Sequence, residues 1–431
     1  FGAQHLATKA AWPALLTTIM NNKESDIIPY HASGIPAARG VLVFAPHPDD
    51  EVFGCGGALA LHARANHAVH VILLTAGDSK PVVGTDASYA NLRLAESGAA
   101  AAVLGIPAPE CWGLLDRTLG YGEVLVQRIM SAIEAVGADT IYAPSVWESH
   151  PDHRATSMST IEAMRRLGGD RQLYLYEVSA PLRPNRLIDI STVWAEKSRA
   201  MACFISQNGQ LDYPDFIGSL NRYRAMTLHR DVTRVEAYEV YQAASLNSPA
   251  TMPFASERRR LQARGLPSTP QDLPLVSVVV RSMARPTLSQ TIDSLIAQTY
   301  TNIELILVDV RGDGLQGVNQ DGIGFPYRIV GSAAPLGRAQ AANLGLENSN
   351  GAFCIFLDDD DWFYADHLAK LVNYAMQNRA AKAVHTAVAC VDGSGNPTGT
   401  VFDFPYAQDE LKFGNFLPIH SVVQYLPLIL H

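Results

Sequence analysis

Cysteine, basic charge and long apolar runs are all scarce in this chain. Its five cysteines, Cys55, Cys111, Cys203, Cys354 and Cys390, are widely spaced, and no two form a C-x-x-C pair. That leaves neither a disulfide framework nor a zinc knuckle, and it suits a reducing compartment. No apolar run approaches the roughly 18 residues of a bilayer-crossing helix, and the first residues lack the basic-then-apolar order of a secretory signal. A cytoplasmic protein is expected, with no transmembrane segment, and peripheral contact with membrane-bound acceptors is compatible with that. Thirty-three Lys+Arg against forty-two Asp+Glu give a formal charge of −9, which argues against a nucleic-acid-gripping protein.

Apolar material is plentiful. Hydrophobic residues make up 48% and charged residues 17% of the 431, enough to bury large cores and to exclude wholesale disorder. At roughly 150 residues per domain, the length predicts two or three domains. Because the chain starts at Phe1 and ends on an apolar stretch, 426–431, residues are expected to be missing at both ends.

After a short helical lead-in at 13–20, apolar runs at 41–45, 69–74 and 140–143 read as buried strands, with helical patterns at 56–65, 89–104 and 122–136 between them. Strands alternating with helices predict a parallel sheet covered on both faces, whose ligands gather at the carboxyl ends of the strands. A proline-rich stretch containing Arg258, Arg259 and Arg260 reads as a linker, its arginines as a solvated helix face. The rhythm then restarts, with strands at 276–280, 304–310 and 353–357 and helices at 288–298 and 338–347. The expected division is an N-terminal extension at 1–35, a first domain at 36–246, a linker at 247–273 and a second domain at 274–431.

Two clusters carry the chemistry of the first domain. His47-Pro48-Asp49-Asp50-Glu51 follows the first strand, and His150-Pro151-Asp152-His153 follows the strand at 140–143. Taken singly, each reads as a turn with a helix cap. Taken together at two strand ends, their imidazoles and carboxylates can supply three ligands of a catalytic zinc, with a neighbouring acid to take a water's proton. These motifs resemble those of the PIG-L/LmbE-like zinc deacetylases, which remove the N-acetyl group of N-acetylglucosamine-type sugars, over roughly residues 39–241. The resemblance implies His47, Asp50 and His153 as zinc ligands and Asp49 as general base. It implies His150 as oxyanion stabiliser or acid to the leaving amine, Asp152 as orienter of an imidazole, and Arg93 and Asp116 as contacts to sugar hydroxyls. Where some relatives place a tyrosine two residues before the first histidine of the second motif, this chain has Glu148.

In the second domain, Asp358-Asp359-Asp360-Asp361-Trp362 follows a buried strand, a pattern suited to a hard cation that grips a diphosphate. The stretch from 275 onward resembles family 2 glycosyltransferases of the GT-A fold. That resemblance implies a nucleotide sugar bound with Mg²⁺ or Mn²⁺ at Asp358 and Asp360, Asp309 on the base, and Arg338 and Asn343 beside the nucleotide. Val310 fills the place of a second acid common in that family. Asp403, Asp409 and Glu410 fall too early to serve as the catalytic carboxylate, so this domain is expected to be incomplete at its C-terminal end.

The expectation is therefore an α/β protein of two domains: a Rossmann-like PIG-L deacetylase sheet, then a Rossmann-like GT-A unit. It would deacetylate an N-acetyl sugar or glycolipid precursor in bacterial surface-glycan synthesis. Alternatives are an active deacetylase carrying a non-catalytic nucleotide-sugar or glycan-binding module, and a scaffold with both sites degenerate.

Overall fold

The computed structural model describes residues 28–77, 87–209, 211–247, 253, 273–315, 323–378, 381, 383–392, 397–403 and 421–425. The expected helix at 13–20, nearly all of the linker with its arginines, Asp409, Glu410 and the end at 426–431 lie outside the described residues. The chain divides between Asn247 and Ser248 into two compact units.

In the first unit, β1 (Gly40–Ala45) leads into α1 (Asp50–Arg64), β2 (Ala68–Thr75), α2 (Ala87–Leu104), β3 (Glu110–Leu114), α3 (Glu123–Val136), β4 (Thr140–Pro144), α4 (Pro151–Leu167) and β5 (Gln172–Tyr176). Then come β6 (Arg186–Asp189), α5 (Trp194–Met201), α6 (Ile205–Asn208), α7 (Tyr213–Tyr223) and β7 (Val235–Gln242). The sheet order is β3-β2-β1-β4-β5-β7-β6. Its first five strands are parallel, and β7 runs antiparallel to both β5 and β6.

Every residue of β1 is buried, as a central parallel strand with both faces covered requires. Val41, Val43 and Ala45 join one core with Phe53 and Leu59 of α1, Leu104 of α2 and Met201 of α5. Chain connection reverses direction between β1 and β4, and a crevice opens at such a switch point beyond the carboxyl ends of the strands. Both histidine motifs leave the sheet there.

Helix α1 begins at Asp50, six residues before the expected start at 56, because Asp50 and Glu51 suit the electropositive first turn. Glycines 54, 56 and 57 argue against a helix locally, yet two of them are needed by packing. A Cβ on Gly54 would stand 2.2 Å from the Tyr176 ring, and one on Gly57 2.6 Å from Ile190.

The second unit contains β8 (Val276–Ser282), α8 (Leu288–Ile296), β9 (Ile303–Asp309), β10 (Tyr327–Gly331), α9 (Arg338–Glu347), β11 (Phe353–Asp358), α10 (His367–Gln377), β12 (Ala383–His385), β13 (Val388–Val391), β14 (Pro397–Phe402) and β15 (Val422–Tyr425). Its main sheet runs β10-β9-β8-β11-β15-β12, parallel through β11, with β15 antiparallel to β11 and β12; β13 and β14 form a separate pair. The switch lies between β8 and β11, where Arg281 and Asp358 are register partners. Both units are thus α/β with parallel-rich sheets.

Candidate active site

At the β1/β4 crevice, the loop after β1 brings His47, Asp49 and Asp50 to one side, and the N-terminus of α4 brings His150, Asp152 and His153 to the other. His150 caps α4, its Nδ1 accepting the Asp152 N–H at 3.2 Å, with Pro151 in the first turn. One atom joins the two motifs. Asp50 Oδ2 lies 3.2 Å from His47 Nδ1 and 3.1 Å from His153 Nε2. His47, His150 and His153 also offer nitrogens within 4.8 Å of one another.

The other nitrogen of His47 is held by acids. Its Nε2 is 3.1 Å from Asp116 Oδ1 and 3.4 Å from Asp152 Oδ2. Asp152 is fixed in turn by the backbone N–H groups of Arg117 at 2.6 Å and Leu119 at 3.3 Å. Arg117 sits at φ 64°, turning the loop after β3 toward the crevice. Asp116, half-buried in this loop, also lies 3.9 Å from His150 Nε2.

Electrostatically the crevice is built for positive charge. Burial lowers the His47 imidazole, but hydrogen bonds to Asp116, Asp152 and Asp50, together with the Asp50 charge, push it up to about 11. Burial likewise works against the His153 cation, while Asp50 and Glu148 raise that imidazole to about 9. Against its own burial, His153 and His47 hold the Asp50 carboxyl well below the usual range. Two imidazoles that share one carboxylate oxygen form a donor set that a divalent ion can occupy. Nitrogen and carboxylate oxygen are donors that zinc favours, so the residues fit that ion.

Asp49 stands beside this set at φ 126°, a backbone angle that side chains rarely adopt. It is buried, and the Arg93 guanidinium reaches its Oδ2 at 2.9 Å. Burial and the Asp50 charge push the Asp49 carboxyl upward, and Arg93 opposes them. Arg93, expected among the sugar contacts, is itself buried and also donates to the carbonyls of Pro48 at 2.6 Å and Gly77 at 3.3 Å. A Cβ on Gly77, at φ 70°, would stand 1.8 Å from Arg93 Nη1, so only glycine leaves the guanidinium its path.

In the second unit the expected residues occupy different settings. Asp358 Oδ1 accepts from Arg281 Nη2 at 2.6 Å and Nε at 3.1 Å. Asp359, fully buried, accepts from Ser282 Oγ, the Met283 N–H and Arg285 Nη1 at 2.7–2.9 Å. Asp360 lies 3.0 Å from Arg285 Nη1. The acids that would hold Mg²⁺ or Mn²⁺ are thus already compensated by Arg281 at the end of β8 and Arg285 in the loop after it, a lining that does not fit a divalent ion. Buried Asp309 accepts the backbone N–H groups of Arg311, Gly312 and Gly314. Arg338 and Asn343 are exposed on α9.

Residues 42–164 match the family model described as GlcNAc-PI de-N-acetylase (PIG-L), and residues 277–422 match glycosyl transferase family 2. The chain joins a PIG-L domain to a family 2 glycosyltransferase domain. On the PIG-L side, a diacetylchitobiose deacetylase of Thermococcus kodakarensis is 28% identical over 39% of this chain and 70% of its own length. A 4-oxalmesaconate hydratase of Pseudomonas putida is 24% identical over 49% of this chain and 89% of its own length. On the other side, an uncharacterized glycosyltransferase of Haemophilus influenzae is 35% identical over 29% of this chain and 51% of its own length. The chain spans about half the length of that glycosyltransferase.

Sequence reasoning gave no role to several residues of these domains. In the PIG-L domain, buried Glu51 receives the Ser97 hydroxyl and the Asp49 N–H, bracing the strained loop. In the glycosyltransferase domain, Arg281 and Arg285 pair with the acidic run. A lone arginine closing the otherwise apolar run 276–280 was the available signal. Among the described residues no helix is long and apolar enough to cross a membrane.

Proposed function

We propose that the PIG-L domain hydrolyses the N-acetyl group of an N-acetylglucosamine-type sugar or glycolipid precursor at a zinc centre. In the same reading the glycosyltransferase domain binds a nucleotide sugar, in the service of surface-glycan synthesis. The observation that supports the first part is the Asp50 carboxylate shared between His47 and His153 at 3.2 and 3.1 Å, with Arg93-held Asp49 beside it.

His47, Asp50 and His153 would hold the ion. When bound, zinc supplies polarisation of the amide carbonyl and a more acidic water. The residues do the remaining work. Asp49, beside Asp50 in the same loop, is placed to accept the water's proton, and Arg93 keeps that carboxylate oriented. His150 is the more exposed imidazole and is lowered by burial and by the His47 and His153 charges, so it is suited to meet the oxyanion or the leaving amine. Asp152 fixes His47 through its Nε2. Asp116, at the mouth, is the remaining acid for a sugar hydroxyl.

The test is acetate release from N-acetylglucosamine-type sugars by the zinc-loaded chain. Asp49→Asn is expected to lower turnover about 10²–10⁴-fold while bound zinc stays stoichiometric. Near-normal turnover in that variant would sink the assignment. A second reading follows from the hydratase relative: water addition to 4-oxalmesaconate without acetate release would favour it. For the glycosyltransferase domain, titration with UDP-sugars separates a nucleotide-sugar binder from a domain that has lost its site, and a transfer assay separates binder from enzyme.

A further inference from the structure

Glu148 takes no part in the chemistry above, yet its carboxylate accepts five hydrogen bonds. Its side chain has no exposed surface. Oε1 accepts the Val178 N–H at 2.7 Å and the Ala180 N–H at 3.4 Å; Oε2 accepts the Ser179 N–H at 3.0 Å and the Ser179 hydroxyl. The backbone on its own side is held as well, since Arg154 Nη1 donates to the Glu148 carbonyl at 2.9 Å. Next to Val178, Glu177 is clamped by the buried Arg224 at 2.9 Å, so the receiving loop is anchored from below.

This fixed carboxylate faces a metal-site histidine. Glu148 Oε2 lies 3.5 Å from Nδ1 of His153, a buried nitrogen with no well-aligned hydrogen-bond partner in the structure. The ring's other nitrogen, Nε2, is the atom 3.1 Å from Asp50 Oδ2. A neutral imidazole carries one N–H and one lone pair. An acceptor that cannot turn away keeps the proton on Nδ1 and leaves the lone pair on Nε2, and a carboxylate there also makes the ring a stronger donor to a metal.

We propose that Glu148 is the positioning residue for His153, holding the ring with its Nε2 lone pair aimed at the ion position beside Asp50. The inference rests on reading the crevice as a zinc centre. It also gives the glutamate that stands in a tyrosine's place a role in metal retention rather than in proton transfer to substrate.

The experiment measures zinc affinity of the full chain by competition with a chelator, and the visible absorption of the Co²⁺-loaded chain, for wild type and Glu148→Gln. The neutral amide is expected to raise the zinc dissociation constant about 10–100-fold and to change the Co²⁺ spectrum. A merely structural glutamate would lower the unfolding midpoint of the metal-free chain and leave both metal readouts unchanged. That result overturns the inference. Should the Gln variant fail to fold, Glu148→Asp, which withdraws the charge by one methylene, is read the same way: weakened zinc supports the proposal and unchanged zinc overturns it. A wild-type chain that holds no stoichiometric zinc overturns the zinc reading and this inference with it, whereas equal tight binding by wild type and variant overturns the inference alone.

Discussion

Asp49 holds a φ of 126°, at a cost on the order of 1–3 kcal/mol, and the surrounding bonds fix it there. Its N–H goes to Glu51 and its carboxylate to Arg93, while its carbonyl accepts the N–H groups of Val52 and Phe53. Strain and a raised carboxyl coincide at the residue proposed as base, which is where strained backbone tends to collect. His62 is a titratable residue remote from that chemistry. It is fully buried, with Nε2 2.9 Å from the Tyr142 hydroxyl and Nδ1 2.8 Å from His67, and burial followed by the His67 charge pulls its imidazole down to about 3. A base lowered in the folded state binds fewer protons than in the unfolded chain, so its contribution is complete above about pH 6.5 and is lost as the pH falls toward 3. Between pH 7 and 5 that loss amounts to about 2 kcal/mol. Urea unfolding at both pH values should show His62→Gln losing less stability than wild type by this amount. Parallel losses would refute the assignment.

Helix α1 is two helical segments joined at Cys55, whose φ −136° and ψ 17° are not helical. The break frees backbone groups that the neighbouring elements satisfy. Glu236 of β7 accepts the N–H groups of Gly57 at 2.7 Å and Ala58 at 2.8 Å, capping the second segment. Lys197 of α5 donates to the Phe53 carbonyl at 2.9 Å and to Glu236 at 2.7 Å. Both side chains are essentially without exposed surface. Removing one partner of such a pair leaves an uncompensated buried charge, so Lys197→Met is expected to destabilise by about 3–5 kcal/mol in urea unfolding. A loss under 1 kcal/mol would refute the lock. Because the first segment carries Asp50, acetate release should fall with it. The run 50–64 reads as helical only after its glycines, and the reason is physical: the residues that repair the break lie about 140 and 180 positions away.

The two units have separate hydrophobic cores, one around β1 and one around β8. Calorimetry of the whole chain should therefore resolve two transitions, and stripping zinc should lower only one of them. At a free zinc concentration 100 times its dissociation constant, that transition should gain about 2.7 kcal/mol. A single transition, or two that shift together, would contradict this. Along the chain, the alternation of apolar runs with helical patterns was enough to read two α/β sheets, because strand and helix periods are local. Lys197 carried no such local signal, and neither did the antiparallel strands β6, β7, β12 and β15 that complete the sheets. The motifs also named the histidines and acids of the crevice, since their chemistry is written in residue type and spacing. Their pairing was decided by strand order. Placing β4 beside β1 brings His153 to Asp50, and the loop after β3 brings Asp116 to His47, across separations that no local pattern records.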